Sequence, residues 1–380
     1  MLGRCEQCPD RQILIDYLYD YFNKFDDDHM IFYTQWDHSD RSTLSKMVSD
    51  IPTFIEKLTN SLEDLKPHSF ISKSQSKYLS ELKENLDGSS VIFLGDFSEN
   101  FSFVVQDEVQ SFHWNNMMCT IHTVVIYYKN GNTLSHLSYA IISEDNTHDV
   151  DFVYKVIEII ILDLKVKLPN LSFIHFFTDG CAGQYKNRKN MFNLCQLEFE
   201  FAIKGEWNFF ATSHGKSPCD GIGGTIKRLT TIESLKRTIN NQILTAKDMH
   251  LFCSEKIKNI ISIYLSKEEM LNIRAKHAKR YDDILNAIPG TRSYHQFTPL
   301  SQSKIGAKRC SIDSNFAIVH NFDHIYIQEE NIEILSYAAV VYDDNWWIGI
   351  ILEKNEVECD ITMKFMHPKG PSEFFLASTG

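Results

Sequence analysis

The sequence has no run of 18 or more apolar residues, the length that a membrane-spanning helix requires. Its longest apolar run, at about residues 156–164, is interrupted by Glu158 and Asp163. The first residues also lack the apolar segment of a secretion signal. We therefore expect neither a membrane span nor export through a cleaved leader, and no membrane partner.

A disulfide framework and an excess of positive charge are absent as well. The nine cysteines are an odd number, and most lie in apolar or strand-like segments. This usage is typical of reduced thiols in an intracellular protein. With 38 Lys and Arg against 50 Asp and Glu, the net charge is −12. An acidic chain is not a general polyanion binder, so a contact with nucleic acid requires a local basic patch.

Two common ligand-binding patterns are missing. The glycines of residues 221–224 fit neither GxGxxG nor a P-loop, and helix packing explains them as well as phosphate binding does. Cys5 and Cys8 make half a zinc site at most, since no second pair follows at finger spacing. We expect no zinc, and the early CxxC suggests the hypothesis of a zinc module lost upstream. A second set of possible zinc ligands has irregular spacing that disfavours the metal: Cys181, Cys195, His214 and Cys219.

The chain is 43% hydrophobic and 23% charged, which is ordinary globular composition. Residues 1–88 carry apolar side chains at helical spacing, which predicts an all-α segment. From residue 89 to 232, short β-branched runs alternate with helical patterns, and Asn130-Gly131 marks a hairpin. This order predicts an α/β core with a mixed sheet and flanking helices. Residues 233–300 read as a helical extension, 301–320 as a linker and 321–380 as a small β-barrel.

Three acids are placed at the ends of predicted elements of the core. Asp96 ends the first strand, Asp179 follows the strand after the long helix, and Asp220 begins a later helix. Ends of successive strands meet at one edge of a sheet, where three carboxylates can hold two Mg²⁺ or Mn²⁺ ions. Such ions support phosphodiester chemistry. Taken singly, an Asp before Gly is also a common turn residue, and Asp220 can be a helix cap. Glu233 is an alternative third acid.

Three segments carry a resemblance to a known family. They are Phe93-Leu94-Gly95-Asp96-Phe97-Ser98-Glu99-Asn100, Phe177-Thr178-Asp179-Gly180-Cys181-Ala182-Gly183-Gln184-Tyr185-Lys186-Asn187, and residues 211–224, ATSHGKSPCDGIGG. Residues of about 90–230 resemble the RNase H-like core of animal DDE/DDD transposases. The resemblance implies that Asp96, Asp179 and Asp220 are the catalytic and metal-binding acids. The third acid is Asp here, where many relatives have Glu. A nuclear location is implied by the resemblance alone, because no clear localisation signal is present.

Basic residues surround the two later acids. Residues 180–240 hold nine Lys and Arg against five Asp and Glu, a local excess that fits a DNA-facing surface or a solvated charged face. The predicted DNA-binding residues are Lys186, Arg188, Lys189, His214, Lys216, Lys227 and Arg228.

The predicted barrel contains the pair Trp346-Trp347, and this segment is similar to SH3-like (Tudor-type) barrels. Exposed tryptophans can bind a methylated cation or a peptide, whereas both can equally fill the core of a small barrel. Residues 321–380 hold eleven acids and three lysines, so a basic peptide or histone tail is the favoured ligand.

Two functions follow from the sequence. One is a transposase-like, metal-dependent enzyme that cleaves or transfers DNA strands, with a homo-oligomer as one possible assembly. The alternative is a domesticated, inactive DNA- or chromatin-interaction protein. A cellular RNase H-like nuclease would share the same acids.

Overall fold

The structure is a computed structural model. It describes residues 11–26, 29–37, 43–104, 117–212, 215, 217–281, 287–322, 334–342, 345–355, 360–368 and 375–377. Within this part of the chain, no helix is both long and apolar enough to cross a bilayer.

The N-terminal part contains a β-hairpin, so the prediction of an all-α segment is wrong. Its elements are α1 (Arg11–Phe22), β1 (Met30–Asp37), β2 (Thr43–Asp50) and α2 (Ile51–Asn85). β1 and β2 pair antiparallel. Their side chains alternate between two faces with a period of two, which a search for helical spacing does not detect. Asp50 ends the hairpin and begins α2 at the same time, because its carboxylate accepts a hydrogen bond from Thr53 N.

Five strands form the centre of a mixed sheet, in the order β5-β4-β3-β6-β7. Their bounds are β3 (Ser90–Ser102), β4 (Met118–Asn130), β5 (Thr133–Ser143), β6 (Phe173–Thr178) and β7 (Lys204–Phe209). The helices of this region are α3 (Val150–Lys167), α4 (Arg188–Phe201) and α5 (Pro218–Lys236). β4 is antiparallel to both neighbours, whereas β3, β6 and β7 are mutually parallel. The predicted mixed sheet with flanking helices is confirmed. β3 runs on to Ser102, beyond Asp96, where the sequence pattern ends it. β7 begins at Lys204 and ends at Phe209, whereas the pattern predicts a strand over Trp207–Thr212.

Further strands extend the sheet at both edges. Their bounds, with two helices, are α6 (Ala246–Lys256), β8 (Ile261–Leu265), α7 (Lys267–His277), β9 (Gln296–Pro299), β10 (Lys304–Lys308) and β11 (Ile318–Asn321). β8 pairs with β5, and β9 to β11 continue from β7. The expectations of a purely helical extension and a strand-free linker are therefore wrong. Strands of four or five residues give little periodicity of their own, and it is the open sheet edge that orders them.

Each face of the sheet is covered by its own core. Val91, Phe93 and Phe176 pack under α3 and α4, whereas Ile92 and Leu94 pack under α5 and α6. The end of α2 joins the second face through Gln75, which is fully buried. Its side-chain amide nitrogen lies 3.0 Å from Phe209 O and 2.9 Å from Ser311 Oγ. Helix α2 is thereby fixed to the sheet by hydrogen bonds as well as by apolar contact.

A separate antiparallel sheet lies at the C-terminal end. It consists of β12 (Tyr337–Tyr342), β13 (Asn345–Asn355), β14 (Asp360–Pro368) and β15 (Phe375–Ala377), paired in chain order. The sequence pattern predicts four short strands in this tail. Three of them, at residues 338–342, 346–352 and 359–365, overlap β12 to β14, and the fourth, at residues 324–327, lies outside the described residues. Closure of the sheet into a barrel stays a prediction.

Candidate functional site

The sheet brings Asp96 and Asp179 to the same edge. β3 and β6 are parallel, and the last residue pair of their ladder is Leu94 with Phe177. Asp96 and Asp179 each lie two residues beyond that pair, so both acids lie at the same level along the two strands. β3 continues to Ser102, so Asp96 lies within this strand, whereas the sequence pattern predicts it at the strand's end. The sequence-based expectation that these two acids meet at one sheet edge agrees with this register.

Helix α5 is held closely against the strand that carries Asp96. Thr123 pairs with Asp96 across β3 and β4. The Thr123 hydroxyl lies 3.2 Å from Asp96 O and 3.3 Å from Cys219 O. Because Cys219 directly precedes Asp220, this hydroxyl bridges the backbone of the first acid to the helix turn that carries the third.

Gly223 is what permits this approach. A Cβ atom at this position would lie 2.6 Å from Ser98 Oγ, closer than side-chain atoms can pack. Gly221 and Gly224 meet no atom within 4 Å. Of the three glycines at the start of α5, Gly223 therefore has a packing reason that the sequence pattern does not reveal.

The carboxylates act on one another electrostatically. Burial is the main cause that raises the pKa of Asp96 to about 7, and the charges of Asp179 and Asp220 add to it. Burial also raises the pKa of Asp179, although a hydrogen bond from Cys181 N to its Oδ1 opposes this. No Lys or Arg within the described ranges forms an ion pair with these acids. The cluster therefore concentrates negative charge that a proton or a cation would relieve.

Asp220 has a second role in the same place. Ser217 caps α5, and Asp220 completes the capping box by accepting a hydrogen bond from Ser217 N at 3.0 Å. The alternative role as a helix cap is thus realised. Across the described part of the chain, no three His, Cys, Asp or Glu side chains are arranged to hold a metal ion. As it stands, the site is a cluster of acids whose third member is turned toward its own helix end.

Two residues beneath the site were missed by sequence reasoning. The ring of His122 is buried, and its Nε2 lies 2.8 Å from Tyr185 Oη. Phe97 stacks edge-on against His122, with 4.5 Å between ring centroids. Burial lowers the pKa of His122 to about 3, so the ring is neutral at physiological pH. Tyr185 belongs to the segment that carries the resemblance, but nothing in the sequence marks His122.

The predicted basic surface is only partly realised. Lys186 is buried and donates to Arg292 O at 3.1 Å, so its ammonium is engaged within the chain, and its contact with DNA stays a prediction. It sits in the tight loop after Asp179, where burial lowers its pKa to about 8. Lys189 at the start of α4 and Arg228 on α5 are exposed.

The other predicted DNA-binding residues and the alternative third acid have different surroundings in the structure. Arg188 is exposed, and Lys227 is half-buried with its ammonium donating to Glu99 O. His214 and Lys216 lie outside the described residues. The alternative acid Glu233 pairs with Arg237 one helical turn away, at 3.0 Å.

The proposed peptide-binding tryptophans lie on β13, where Val341 faces Trp346 and Val340 faces Trp347 in the strand register. Their side chains lie outside the part that the structure describes. Cys5 and Cys8, which make half a zinc site at most, also fall outside it.

Comparison with known proteins places the chain in a family. Residues 75–311, more than half of the chain, match the family model described as Domain of unknown function (DUF8701). The chain belongs to this family. Residues 1–66 match a second model, Domain of unknown function (DUF8700). No curated protein and no solved structure matches the chain significantly. The boundary between the two models falls within α2.

Proposed function

We propose that this protein is a transposase-like enzyme with an RNase H-like core, which cleaves or transfers DNA strands with the help of divalent cations. The observation that carries the proposal is the order of strands and acids. Counted from β3, the five central strands lie in the order 3-2-1-4-5, and the second alone is antiparallel to its neighbours. This is the order of an RNase H-like sheet. Asp96 is on the first strand, Asp179 follows the fourth, and Asp220 is on the helix after the fifth.

The chemistry of the donor atoms fits Mg²⁺ or Mn²⁺. Hard cations take carboxylate oxygens as ligands, and Asp96 and Asp179 would hold them at the sheet edge. When bound, the cations would activate a water or a 3′-hydroxyl and stabilise the leaving oxygen. The protein's own part is to hold the carboxylates together, which Thr123 and Gly223 do by fixing α5 on β3. The Asp220 carboxylate would have to break its hydrogen bond with Ser217 N in order to bind the cations beside Asp96 and Asp179.

A DNA path beside the acids would use the exposed cations of α4 and α5. Arg188, Lys189 and Arg228 are exposed, and Lys227 and the undescribed His214 and Lys216 stay candidates. Lys186 is the weakest of the candidates, because it is buried and its ammonium donates to Arg292 O. Such contacts to phosphates give affinity without sequence preference and weaken as salt increases.

The alternative function, an inactive DNA- or chromatin-interaction protein, is favoured by one specific observation. Asp220 is engaged in its capping box, and no complete cation-binding group is assembled among the described residues. An RNase H-like scaffold with two of three acids available would keep its DNA surface without cleaving. A basic-peptide site at Trp346 and Trp347, nuclear location and self-association belong to either function as further proposals.

The experiment is a nicking assay on supercoiled DNA with the purified full chain in Mg²⁺ or Mn²⁺. We expect nicked product, a loss of about 10²-fold or more in Asp179→Asn because a ligand is removed, and full activity in Glu99→Gln. Glu99 is an exposed acid three residues from Asp96, so it controls for nearby charge.

Wild type and Asp179→Asn could both be inactive on duplex, nicked and branched DNA while binding DNA equally well. That result would contradict the proposed cleavage and support the alternative function of DNA interaction without cleavage. If neither variant nor wild type binds DNA, both functions are wrong.

A further inference from the structure

The loop that follows Asp179 is closed by hydrogen bonds of its own backbone. Cys181 O accepts from the backbone nitrogens of Gln184, Tyr185 and Lys186 at 3.3, 2.8 and 3.0 Å. Cys181 N donates in turn to Asp179 Oδ1 at 3.2 Å. Cys181 therefore connects the carboxylate of the second acid to the backbone of Tyr185.

The side chain of Tyr185 fixes the far end of this loop in the core under α3 and α4. It is 1% exposed, and its hydroxyl lies 2.8 Å from His122 Nε2 on β4. Burial raises the pKa of Tyr185, and the charges of Asp96 and Asp179 add to this effect. The hydroxyl is thus within electrostatic range of both acids.

His122 is held in turn by the two neighbours of Asp96 in the sequence. The ring of Phe97 lies edge-on against it, as described above. A Cβ atom at Gly95 would lie 3.3 Å from His122 Cε1, so the glycine leaves room for the ring. His122 Nδ1 is buried without a hydrogen-bond partner in the described part of the chain, and the bond to Tyr185 is therefore the one that the ring makes there.

These contacts form a continuous connection between the first two acids. It leads from the residues beside Asp96 to His122, from there to Tyr185, and through Cys181 to the Asp179 carboxylate. Two apolar side chains could fill the same space without removing polar groups from water, which costs free energy. A hydrogen bond supplies what apolar packing lacks, a defined distance and direction.

We propose that His122 and Tyr185 are positioning residues of the acid cluster. Their hydrogen bond sets where the Asp179 carboxylate lies relative to Asp96, and thereby sets the affinity of the two acids for a divalent cation. The inference rests on the proposed function, since it requires that these acids bind cations.

The test measures Mn²⁺ binding to the purified full chain, without DNA, from the electron paramagnetic resonance signal of free Mn²⁺. Binding at the acid cluster is the part that Asp179→Asn loses. We expect Tyr185→Phe, which keeps the ring and removes the hydroxyl, to bind Mn²⁺ about three- to tenfold more weakly, because groups that orient ligands contribute to metal affinity. In the nicking assay, the half-maximal Mn²⁺ concentration should increase by the same factor, and saturating Mn²⁺ should restore the maximal rate.

A double variant separates positioning from stability. Tyr185→Phe leaves both ring nitrogens of His122 without a partner, which also destabilises the fold. His122→Leu/Tyr185→Phe replaces both polar groups by apolar ones, so its denaturant midpoint should return toward that of wild type. Its Mn²⁺ affinity should stay as low as that of Tyr185→Phe, because the hydrogen bond is still absent.

Tyr139→Phe is the matched control. Tyr139 is fully buried on β5, and its hydroxyl donates to Asp163 Oδ2 at 2.7 Å. The variant loses a buried hydroxyl of the same sheet that has no contact with the loop after Asp179. It should bind Mn²⁺ as wild type does.

The outcomes distinguish this inference from the proposed function. Equal Mn²⁺ affinity of Tyr185→Phe and wild type would overturn the positioning role alone, and so would an equal loss in Tyr139→Phe or a double variant whose affinity recovers with its stability. Weaker Mn²⁺ binding in Tyr185→Phe, in a protein that nicks no DNA, would support the positioning role and contradict the proposed cleavage. Wild type that binds no more Mn²⁺ than Asp179→Asn would contradict both.

Discussion

The two parts of the chain that match separate family models treat their apolar side chains in opposite ways. In the sheet of residues 75–311, Trp207 is 1% exposed and stacks on Phe176 with 4.8 Å between ring centroids. In the N-terminal part, Trp36 stands on an open hairpin face. The same residue type is thus buried in the core of one region and exposed on the surface of the other. Burial, and not composition, decides how much each tryptophan stabilises the fold.

The largest effect should come from comparing these two tryptophans by truncation. Trp207→Ala removes a buried ring from the main core and should lower the free energy of unfolding by about 3–5 kcal/mol. Trp36→Ala should change it by less than about 0.5 kcal/mol. Guanidinium unfolding followed by circular dichroism measures both. An equal decrease in the free energy of unfolding of the two variants would mean that the hairpin face is buried in solution, which would contradict the difference between the two regions.

A smaller contrast exists within one helix, between Gly223 and Gly224. Gly223→Ala forces a methyl group against Ser98 Oγ and should destabilise the protein by about 1–3 kcal/mol. The methyl group added by Gly224→Ala would have no atom within 4 Å, so this variant should stabilise α5 by about 0.5–1 kcal/mol. The variants are compared by denaturant midpoints. If nicking is observed, Gly223→Ala should also reduce it, whereas Gly224→Ala should not if only the packing of α5 matters. A neutral Gly223→Ala would show that α5 can shift away from β3.

The smallest expected effect tests the burial of Asp96, which lowers the stability of the folded chain once its carboxyl group would ionise in water. The pKa of Asp96 is raised to about 7, against ~4 in an unfolded chain. Between these values the unfolded chain loses its proton and the folded chain does not, so this group makes the free energy of unfolding fall as pH rises from ~4 to ~7 and adds no change above that.

Asp96→Asn removes this dependence. Relative to wild type, the variant should become more stable by about 1–2 kcal/mol between pH ~4 and pH ~8, a value reduced for the partial exposure of the carboxyl group. Asp64 lies on an exposed stretch of α2, so the free energy of unfolding of Asp64→Asn should change with pH in the same way as that of wild type. If the acids bind Mg²⁺, adding it at high pH should stabilise wild type and so reduce the difference in free energy of unfolding between wild type and Asp96→Asn. Parallel curves for Asp96→Asn and wild type would show that neither burial nor the neighbouring acids raise the pKa of Asp96 in the folded chain.

Several elements of the core were predictable because their signals are local. The helix now seen as Val150–Lys167 is capped by Asp149 and ends before Pro169, and both signals are readable in the sequence. The turn between β4 and β5 has Gly131 at a φ of 60°, the conformation that an Asn-Gly pair favours. The sequence between β1 and β2 has no such turn signal. Several apolar residues of this hairpin are exposed, so the rule that apolar residues mark a buried face does not identify its strands, and the region was predicted to be helical.

What the sequence determined by itself is a set of helices and strands and which of them carry or precede the three acids. Periodicity, caps and turn residues act between near neighbours, so they are visible in one dimension. The tertiary structure decided which strands adjoin. It thereby brought Asp96 beside Asp179, pressed Gly223 onto Ser98 and turned Asp220 toward Ser217. It also buried Lys186 and paired His122 with Tyr185, because contacts between residues far apart in the chain depend on packing that no local pattern encodes.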